Sequence, residues 1–427
     1  MKVLDNPSKE TWSELVLRPQ LSLEFLESSV RNTMNRVRLS GDAALKELTL
    51  QFDGVKLDAF QVSEKEIENA ISSLDGFIKK AVQVAAVNIK KFHSQQKREP
   101  VKMETMPGVQ CWQKYVPIQK VGIYIPGGTA PLFSTVLMLG IPARLAGCNE
   151  IILCTPPDKN GQIHPAILFA ASLSGIRKIF KVGGAQAIAA MAYGTQSIPS
   201  VYKIFGPGNQ YVTKAKQMVN SDGIAIDLPA GPSEVMVIAD DLANASFVAA
   251  DLLSQAEHGT DSQVVLLSLS KPKSLEIQKE IDRQLEKLPR KEIARQAMQN
   301  SLVINFDEIT TAIQFANEYA PEHLIINTLD CDQWVDKIEN AGSVFLGPYT
   351  PEAVGDYASG TNHTLPTNGF AKAYSGVSLQ SFMKTITCQK LTAEGLKLLG
   401  PAVEIMAAEE SLEGHRQAVS IRLNYLK

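Results

Sequence analysis

The most regular pattern along the chain is an alternation of short apolar runs with segments of helical apolar spacing, which begins at Val121. Each of four apolar runs is followed by a turn marked by Gly or Pro and then by a helical segment. The runs span residues 121–125, 151–155, 178–182 and 201–205. Strands that alternate with helices in this rhythm are typical of a parallel sheet with crossover helices. The region 121–234 is therefore predicted to form one α/β unit.

The same alternation resumes after this region. Further strands are predicted at residues 235–239, 264–269, 302–306, 323–327 and 344–346. Residues 273–299 have a charged helical pattern that predicts one long, solvated surface helix. The chain is therefore predicted to contain two similar parallel-sheet units.

The two ends of the chain follow other patterns. Residues 1–120 are predicted to be mainly helical, with helical spacing over 29–51 and 63–91, and this portion is expected to pack on the second sheet unit. After residue 376 the pattern predicts a strand at 381–388 and a helical pair at 392–409 and 412–426. Because so short a tail cannot build a large core, we expect it to pack on the main body or on another subunit.

Composition and charge argue against several classes of protein. The chain has 427 residues, 44% of them hydrophobic and 20% charged, and 42 Lys and Arg against 45 Asp and Glu give a net charge of −3. Two to three domains are expected at roughly 150 residues each, and the absence of a basic excess argues against nucleic-acid binding. The longest uncharged run, 121–143, is broken by Pro and Gly, which argues against a membrane span. Polar residues 1–12 and cysteines without a CxxC spacing favour the cytoplasm.

Three glycine-rich loops follow predicted strands of the first unit. They are Ile125-Pro-Gly-Gly-Thr-Ala-Pro131, Gly183-Gly-Ala-Gln-Ala187 and Gly206-Pro-Gly-Asn-Gln-Tyr211. Such loops present backbone N–H groups at a helix start, which suits phosphate, although a tight turn with nothing bound has the same pattern. The third begins like a G-x-G-x-x-G fingerprint, but Tyr211 replaces the last glycine, and its bulk is expected to prevent close helix–strand packing. A standard dinucleotide site is not supported, and an atypical nucleotide site stays open.

Two short motifs carry candidate acid–base or metal chemistry. Gln255 and His258 are three residues apart on a predicted helix, so they share one face. Glu322 and His323 are adjacent at a loop–strand junction, where both can be tuned toward neutral pKa for acid–base work. Each motif also has an ordinary interpretation, namely a capped helix end for the first and a chance Glu-His pair for the second.

Two further histidines and one aspartate are additional candidates for this chemistry. Asp356 and His363 lie in an irregular Gly-, Thr- and Asn-rich segment, 350–366, and His415 lies in the C-terminal tail. Four of the six histidines thus lie near strand ends in acidic or Gly-rich segments, which indicates a metal site of mixed N and O ligands. Zinc is the favoured ion, with manganese or cobalt as substitutes. His93 and His164 are expected to be ordinary surface residues.

Several long motifs in this chain, in the same order, resemble those of the histidinol dehydrogenase family. They are Val121-Gly-Ile-Tyr-Ile-Pro-Gly-Gly, Gly183-Gly-Ala-Gln-Ala, Phe205-Gly-Pro-Gly-Asn, Leu228-Pro-Ala-Gly-Pro-Ser-Glu, Gln255-Ala-Glu-His-Gly, Ala320-Pro-Glu-His-Leu, Ser359-Gly-Thr-Asn-His-Thr-Leu-Pro-Thr and His415-Arg-Gln-Ala-Val-Ser-Ile-Arg. The resemblance runs from about residue 25 to the C-terminus.

This resemblance implies an α/β fold with two incomplete Rossmann-like parallel-sheet domains and a small C-terminal helical and strand tail used in dimerisation. The implied division is an N-terminal helical extension at 1–24, a discontinuous catalytic domain at 25–120 and 235–377, an NAD-binding domain at 121–234 and a dimerisation tail at 378–427. The implied reaction is the oxidation of L-histidinol to L-histidine through L-histidinaldehyde, the final steps of histidine biosynthesis, with two NAD+ used in sequence.

The resemblance also assigns roles to residues. It implies one zinc ion per subunit, with the ligands Gln255, His258, Asp356 and His415. His415 and Glu410 would come from the neighbouring subunit of a homodimer. His323 would be the general base and Glu322 the base that activates water. The substrate would contact Ser233, Gln255, His258, Glu322, His323, Asp356, Glu410 and His415, and NAD+ would contact Tyr124, Gln186 and Asn209. His363 is carried over less firmly, as a residue lining the pocket.

Two alternatives stay open on the residues alone. One is a zinc hydrolase with the same ligands, in which Glu322 activates metal-bound water. The other is a non-catalytic binding protein on the same scaffold. Formation of NADH from NAD+ and histidinol distinguishes the dehydrogenase from both.

Overall fold

A computed structural model of the chain describes residues 1–18, 24–127, 130–229 and 231–427. Its strands are β1 Lys2–Asp5, β2 Lys102–Met106, β3 Val109–Pro117, β4 Lys120–Tyr124, β5 Glu150–Thr155, β6 Lys178–Lys181, β7 Lys203–Phe205, β8 Ala225–Ile226, β9 Glu234–Ala239, β10 Gln263–Ser268, β11 Leu302–Asn305, β12 His323–Asn327, β13 Ser343–Leu346 and β14 Met383–Leu391. Its α-helices are α1 Trp12–Leu15, α2 Glu24–Ser40, α3 Asp42–Asp53, α4 Glu64–Ser73, α5 Gly76–Ser94, α6 Phe133–Ala146, α7 Pro165–Leu173, α8 Gly184–Tyr193, α9 Gln210–Ser221, α10 Ala245–Ala256, α11 Lys271–Leu285, α12 Lys291–Gln299, α13 Ile309–Tyr319, α14 Glu352–Tyr357, α15 Ala393–Glu409 and α16 Glu413–Tyr425.

The first predicted α/β unit is a parallel sheet of five strands in the order β6-β5-β4-β7-β8. Residues 121–124 of β4 are buried, because helices cover both faces of the sheet. The order reverses at β4, where chain connections diverge to either side and leave a crevice at the carboxyl ends of the strands. The α/β class and the parallel sheet predicted from the sequence are confirmed.

The second unit is a parallel sheet of six strands in the order β1-β11-β10-β9-β12-β13. Its edge strand β1 comes from the start of the chain and pairs with β11, with Val3 opposite Val303. The sequence analysis placed this segment in a helical extension. A strand of four residues is too short to show a hydrophobic period, and only pairing with β11 defines it.

The helices between residues 24 and 94 pack on the first sheet unit rather than on the second. Helix α2 contacts α8 and α9, α4 contacts α7, and α5 contacts α6. Their buried apolar side chains, such as Leu48 and Ile89, belong to the two hydrophobic clusters around the first sheet. In this respect the packing differs from the predicted domain division, because an apolar helix face does not specify which sheet covers it.

Three of the predicted helical stretches are each divided into shorter helices, because particular residues end or start a helix within them. Gly41, with φ of +51°, separates α2 from α3. The side chain of Asp75 accepts hydrogen bonds from two backbone N–H groups and starts α5 as a separate helix. The long charged helix predicted at 273–299 is two helices, α11 and α12. Pro289 lies between them, and a proline lacks the N–H that a continuous helix needs.

An antiparallel sheet in the order β14-β3-β2 joins the C-terminal tail to the main body. The hairpin β2–β3 lies in a region predicted to be helical, and β14 lies at the predicted tail strand. Phe382, just before β14, stacks on Phe205 of the first sheet with ring centroids 4.1 Å apart. Helices α15 and α16 pack on each other. No helix in the described part of the chain combines the length and apolar character that crossing a bilayer requires.

Candidate active site

A large cleft opens at the carboxyl ends of the strands of the first sheet. Its volume is about 1220 Å³, and Tyr124, Gln186 and Asn209 all line it. These are the three residues that the resemblance assigns to NAD+. Tyr124 ends β4, and Gln186 and Asn209 lie after β6 and β7, so the sheet itself brings them together. Gly128 and Thr129 of the first glycine-rich loop lie outside the described residues.

The polar side chains in this cleft are held in different ways. The hydroxyl of Tyr124 accepts a hydrogen bond from the backbone N–H of Gly184 at 3.0 Å. Asn209 caps α9, with its Oδ1 accepting from the N–H groups of Tyr211 and Val212. The Nε2 of Gln186 is buried and has no hydrogen-bond partner among the described residues. A buried amide without a partner is costly, which favours a ligand that accepts a hydrogen bond there.

The third glycine-rich loop is braced in a way that requires glycine. Gly206 has φ of +125°, and a Cβ there would lie 2.0 Å from the carbonyl oxygen of Tyr124. Its N–H donates to Asp227 Oδ2 at 2.8 Å, and its carbonyl accepts from Lys216 at 2.8 Å. Tyr211 was expected to prevent close helix–strand packing, but its side chain is 41% exposed and lines the cleft instead.

A second group of chemical side chains lies at the amino ends of the second sheet. β12 begins at His323, and Glu322 directly precedes it. Ala320, with φ of +55°, ends α13 in a left-handed turn that leads into this strand. Ligands of parallel sheets usually lie at the opposite, carboxyl edge. The pair lies at the amino edge, as the predicted strand at 323–327 implied.

His323 is buried and surrounded by acceptors. Its Nδ1 lies 3.1 Å from the carbonyl oxygen of Glu234, which can only accept, so Nδ1 carries a proton. Its Nε2 lies 3.4 Å from Asp356 Oδ1. Carboxylate oxygens of Glu322 and Glu352 each lie 3.6 Å from Nδ1. The imidazole therefore lies among three carboxylates.

These contacts perturb the titration of the whole group. Burial alone would lower the pKa of His323, but the carboxylates of Glu352, Glu322 and Asp356 outweigh it and raise that pKa. Burial raises the pKa of Glu322 to about 8 and also raises the pKa of Glu352. Burial opposes ionisation of Asp356 too, yet the neighbouring His323 imidazole lowers its pKa. Such perturbed groups are typical of a catalytic centre.

The predicted metal ligands Gln255, His258 and Asp356 face the same place. The Nε2 of Gln255 lies 3.4 Å from Nδ1 of His258, and its Oε1 is buried without a partner among the described residues. The His258 side chain is exposed, yet desolvation by the surrounding protein lowers its pKa, and the Asp356 carboxylate opposes that effect. His363 donates from Nδ1 to the carbonyl oxygen of Asp356 at 2.7 Å. Gln255 and His258 thus lie together, and His258 is close enough to Asp356 for its charge to act on the imidazole.

The sequence analysis missed Glu352. Its carboxylate, the Asp356 carboxylate and the His323 imidazole have ligand atoms within 4.8 Å of one another, a group that could hold a cation. Glu352 and Asp356 are four residues apart on α14, so they share a helix face. That spacing is visible in the sequence, but nothing local shows that the face points toward His323.

Of the remaining predicted residues, some lie near this site and others lie far from it. Ser233 directly precedes β9, beside the backbone that contacts His323. Glu410 and His415 are exposed on the C-terminal tail, and within one chain the tail helices pack on each other rather than on this site. His93 is fully buried against Asn362, so its expected surface position is wrong.

Comparisons with known proteins agree on one family. The sequence pattern of the family described as histidinol dehydrogenase matches residues 16–423. A histidinol dehydrogenase of Bacteroides thetaiotaomicron is 59% identical over 427 residues, which cover 100% of both chains. One from Aliivibrio fischeri is 53% identical over 403 residues, covering 94% of this chain and 91% of the relative.

A solved structure gives the same result. The crystal structure of histidinol dehydrogenase from Elizabethkingia anophelis superposes with a TM-score of 0.98 at 53% sequence identity. The match covers 100% of this chain and 98% of that chain. The similarity therefore extends over both sheet units and the tail.

Proposed function

The chain belongs to the histidinol dehydrogenase family, oxidoreductases of histidine biosynthesis, and we propose that it oxidises L-histidinol to L-histidine in two NAD+-dependent steps with one zinc ion per subunit. The observation that carries this proposal is the buried Glu322–His323 pair, which lies beside a converging set of nitrogen and oxygen donors. NAD+, when bound, accepts a hydride in each step.

His323 is the base of both oxidations. Removing a hydride from a carbinol carbon requires loss of the hydroxyl proton in the same step, and an imidazole can take that proton near neutral pH. The contact of Nδ1 with the carbonyl oxygen of Glu234 directs Nε2 toward Asp356 and the place for substrate. Holding one tautomer means that the ring does not reorient between the two oxidations.

Glu322 acts between the two oxidations. The aldehyde must gain water before a second hydride can leave, and a carboxylate can take the proton of the attacking water. The hydrated aldehyde then loses a hydride and its hydroxyl proton as the alcohol did. Keeping the aldehyde in one site through both steps prevents its side reactions in solution.

The donor set fits zinc. Gln255 has a buried amide oxygen without a partner, and His258 and Asp356 add an imidazole and a carboxylate, a mixture that zinc accepts. We assign zinc to these residues rather than to the group of His323, Glu352 and Asp356, because His323 needs a free Nε2 to act as a base. When bound, zinc would hold the imidazole and amino nitrogens of the substrate and offset the carboxylate charge around His323.

The first sheet supplies the cofactor cleft. Tyr124, Gln186 and Asn209 line a space large enough for a dinucleotide, and the unpartnered amide of Gln186 supports a polar ligand. We assign NAD+ to this cleft. Thr135 on α6 links the first unit to the segment of Asp356, because its hydroxyl lies 3.0 Å from Nε2 of His363, whose Nδ1 contacts the carbonyl oxygen of Asp356.

The tail completes the site in a homodimer. His415 and Glu410 are exposed and stand apart from the other ligands within one chain. Helices α15 and α16 also expose Ile405, Met406 and Ile421, apolar side chains that a second subunit would cover. We therefore assign these two polar residues to the partner's site.

The direct test follows NADH during conversion of histidinol by the zinc-loaded protein. Two NADH per histidine formed are expected, and no NADH above background would overturn the proposal. His323→Asn should lose both half-reactions while retaining zinc. Glu322→Gln should largely spare alcohol oxidation and impair aldehyde oxidation, and equal loss of both would contradict the role of Glu322 in activating water.

A further inference from the structure

A buried ion pair lies directly behind the catalytic pair. Nε and Nη2 of Arg18 lie 2.9 Å from Oε1 and Oε2 of Glu234, respectively, a two-pronged contact. The two side chains are only 6% and 1% exposed. A buried ion pair often contributes little net stability compared with apolar residues of the same size. Its position relative to Glu322 and His323 is therefore the informative feature.

The backbone of Glu234 contacts both catalytic residues. Its N–H donates to Glu322 Oε2 at 2.9 Å. Its carbonyl accepts from Nδ1 of His323 at 3.1 Å. The parallel pairing of β9 with β12 sets Val235 opposite His323, which brings this peptide beside both side chains. One residue thus orients the carboxylate of one group and the imidazole tautomer of the other.

Arg18 connects Glu234 with the turn that leads into the catalytic pair. Its Nη2 also donates to the carbonyl oxygen of Tyr319 at 2.8 Å, and its guanidinium lies 3.6 Å from the centre of the Tyr319 ring. Tyr319 is followed by the left-handed residue Ala320 and then by Pro321 and Glu322. The guanidinium therefore spans both backbone segments that position the pair.

The Glu234 carboxylate has a further partner. Its Oε1 accepts from the backbone N–H of Asn368 at 2.8 Å, in addition to the guanidinium. The side chain thus joins three separate parts of the chain, namely the start of β9, the N-terminal segment and the loop at residue 368. Loss of one partner would leave a buried charge unpaired, and the peptide that carries it would shift.

We propose that Arg18 and Glu234 form a clamp that positions Glu322 and His323 for hydride and proton transfer. The clamp holds the Glu322 carboxylate and keeps the proton of the neutral His323 on Nδ1, so that Nε2 faces the substrate. Neither clamp side chain needs to touch substrate, so both are positioning residues. This inference rests on the proposed roles of Glu322 and His323.

The test compares Arg18→Lys and Glu234→Gln with the wild-type holoenzyme. Lysine keeps the charge but cannot make the two-pronged contact, and glutamine keeps the shape but loses the charge. A misplacement of a catalytic group by about 1 Å can cost about 100-fold in rate. We expect kcat to fall about 10- to 100-fold while zinc content is unchanged and KM for histidinol changes less than about threefold.

An isotope effect separates positioning from simple loss of folded enzyme. With histidinol deuterated at the carbinol carbon, a clamp variant should show a larger primary isotope effect on kcat than the wild type, because hydride transfer has become slower than the other steps. A fall in kcat with the wild-type isotope effect would indicate only less active protein and would overturn the clamp. So would variants whose kcat stays within about twofold of the wild type.

A matched control uses the exposed pair of Arg36 and Glu47, whose Nη2 and Oε2 lie 2.8 Å apart on the surface. Arg36→Lys should leave kcat and the isotope effect unchanged. A wild-type holoenzyme that forms no NADH would overturn the proposed function and the clamp together. Wild-type activity with unaltered clamp variants would overturn the clamp alone.

Discussion

Asp53, at the end of α3 in the cleft at the first sheet, is predicted to destabilise the cofactor-free protein above about pH 6. Its Oδ2 is buried without a partner among the described residues, and burial raises the pKa of the carboxyl from 3.8 to about 6. The difference between these two pKa values corresponds to about 3 kcal/mol. Because the side chain is partly exposed, solvent screening reduces this figure to about 1–2 kcal/mol.

The sign follows from proton binding. The folded state holds the Asp53 proton more tightly than the unfolded state, so ionisation lowers stability as pH rises from about 4 to about 6, and the full effect is present above that range. Asp53→Asn removes the charge and keeps the shape. It should therefore raise the free energy of unfolding by about 1–2 kcal/mol near pH 8, and by much less near pH 4.

The assay is denaturant unfolding of the cofactor-free protein at these two pH values. Asp58→Asn is the matched control, since Asp58 is exposed on the loop that follows and should show no comparable gain. A destabilised Asp53→Asn at the higher pH, or the same gain at both pH values, would refute the reasoning.

Three further outcomes follow from other parts of the molecule. Since burial raises the pKa of Glu322 to about 8, the rate of aldehyde oxidation should rise about tenfold between about pH 7 and 9 as the carboxylate ionises. A steady-state pH profile checks this prediction, and the same rise in Glu322→Gln would contradict it. Phe382→Ala should lower the free energy of unfolding by about 3–5 kcal/mol, because the ring is buried in a stack on Phe205, and a loss below about 1 kcal/mol in denaturant melts would exclude that packing contribution. His415→Ala and Gln255→Ala should each be inactive alone and recover part of the activity when mixed as subunits, because one mixed site is intact; no recovery in confirmed mixed dimers would argue against a shared site.

Local pattern was sufficient for much of the fold. Apart from β1 and the two-residue β8, the strands of both parallel sheets lie where short apolar runs predicted them, because a strand buried on both faces needs apolar side chains throughout. Pattern failed for β1 and the β2–β3 hairpin. The first is too short to show a period, and the second is largely exposed, so neither carries a strong hydrophobic signal.

The sequence likewise indicated only some of the residues of the candidate site. Glu322, His323, Asp356, Gln255 and His258 were predicted from motifs, and the structure brings them into one region. Glu352 is one helical turn from Asp356, but nothing near it in the sequence indicates that it contacts His323. Nothing near Arg18 indicates its partners either, because Glu234 and Tyr319 lie more than two hundred residues away in the chain.

The sequence by itself determined the α/β class, the positions of most buried strands and the identities of the chemical residues, because each depends on neighbours a few positions away. Tertiary structure alone decided that the helices at 24–94 cover the first sheet, that Glu352 faces His323, and that Arg18 lies behind the Glu322–His323 pair. These features depend on contacts between distant segments. An apolar helix face indicates that another segment will cover it, and a buried charge indicates that it will be paired. Neither indicates which distant segment supplies the contact.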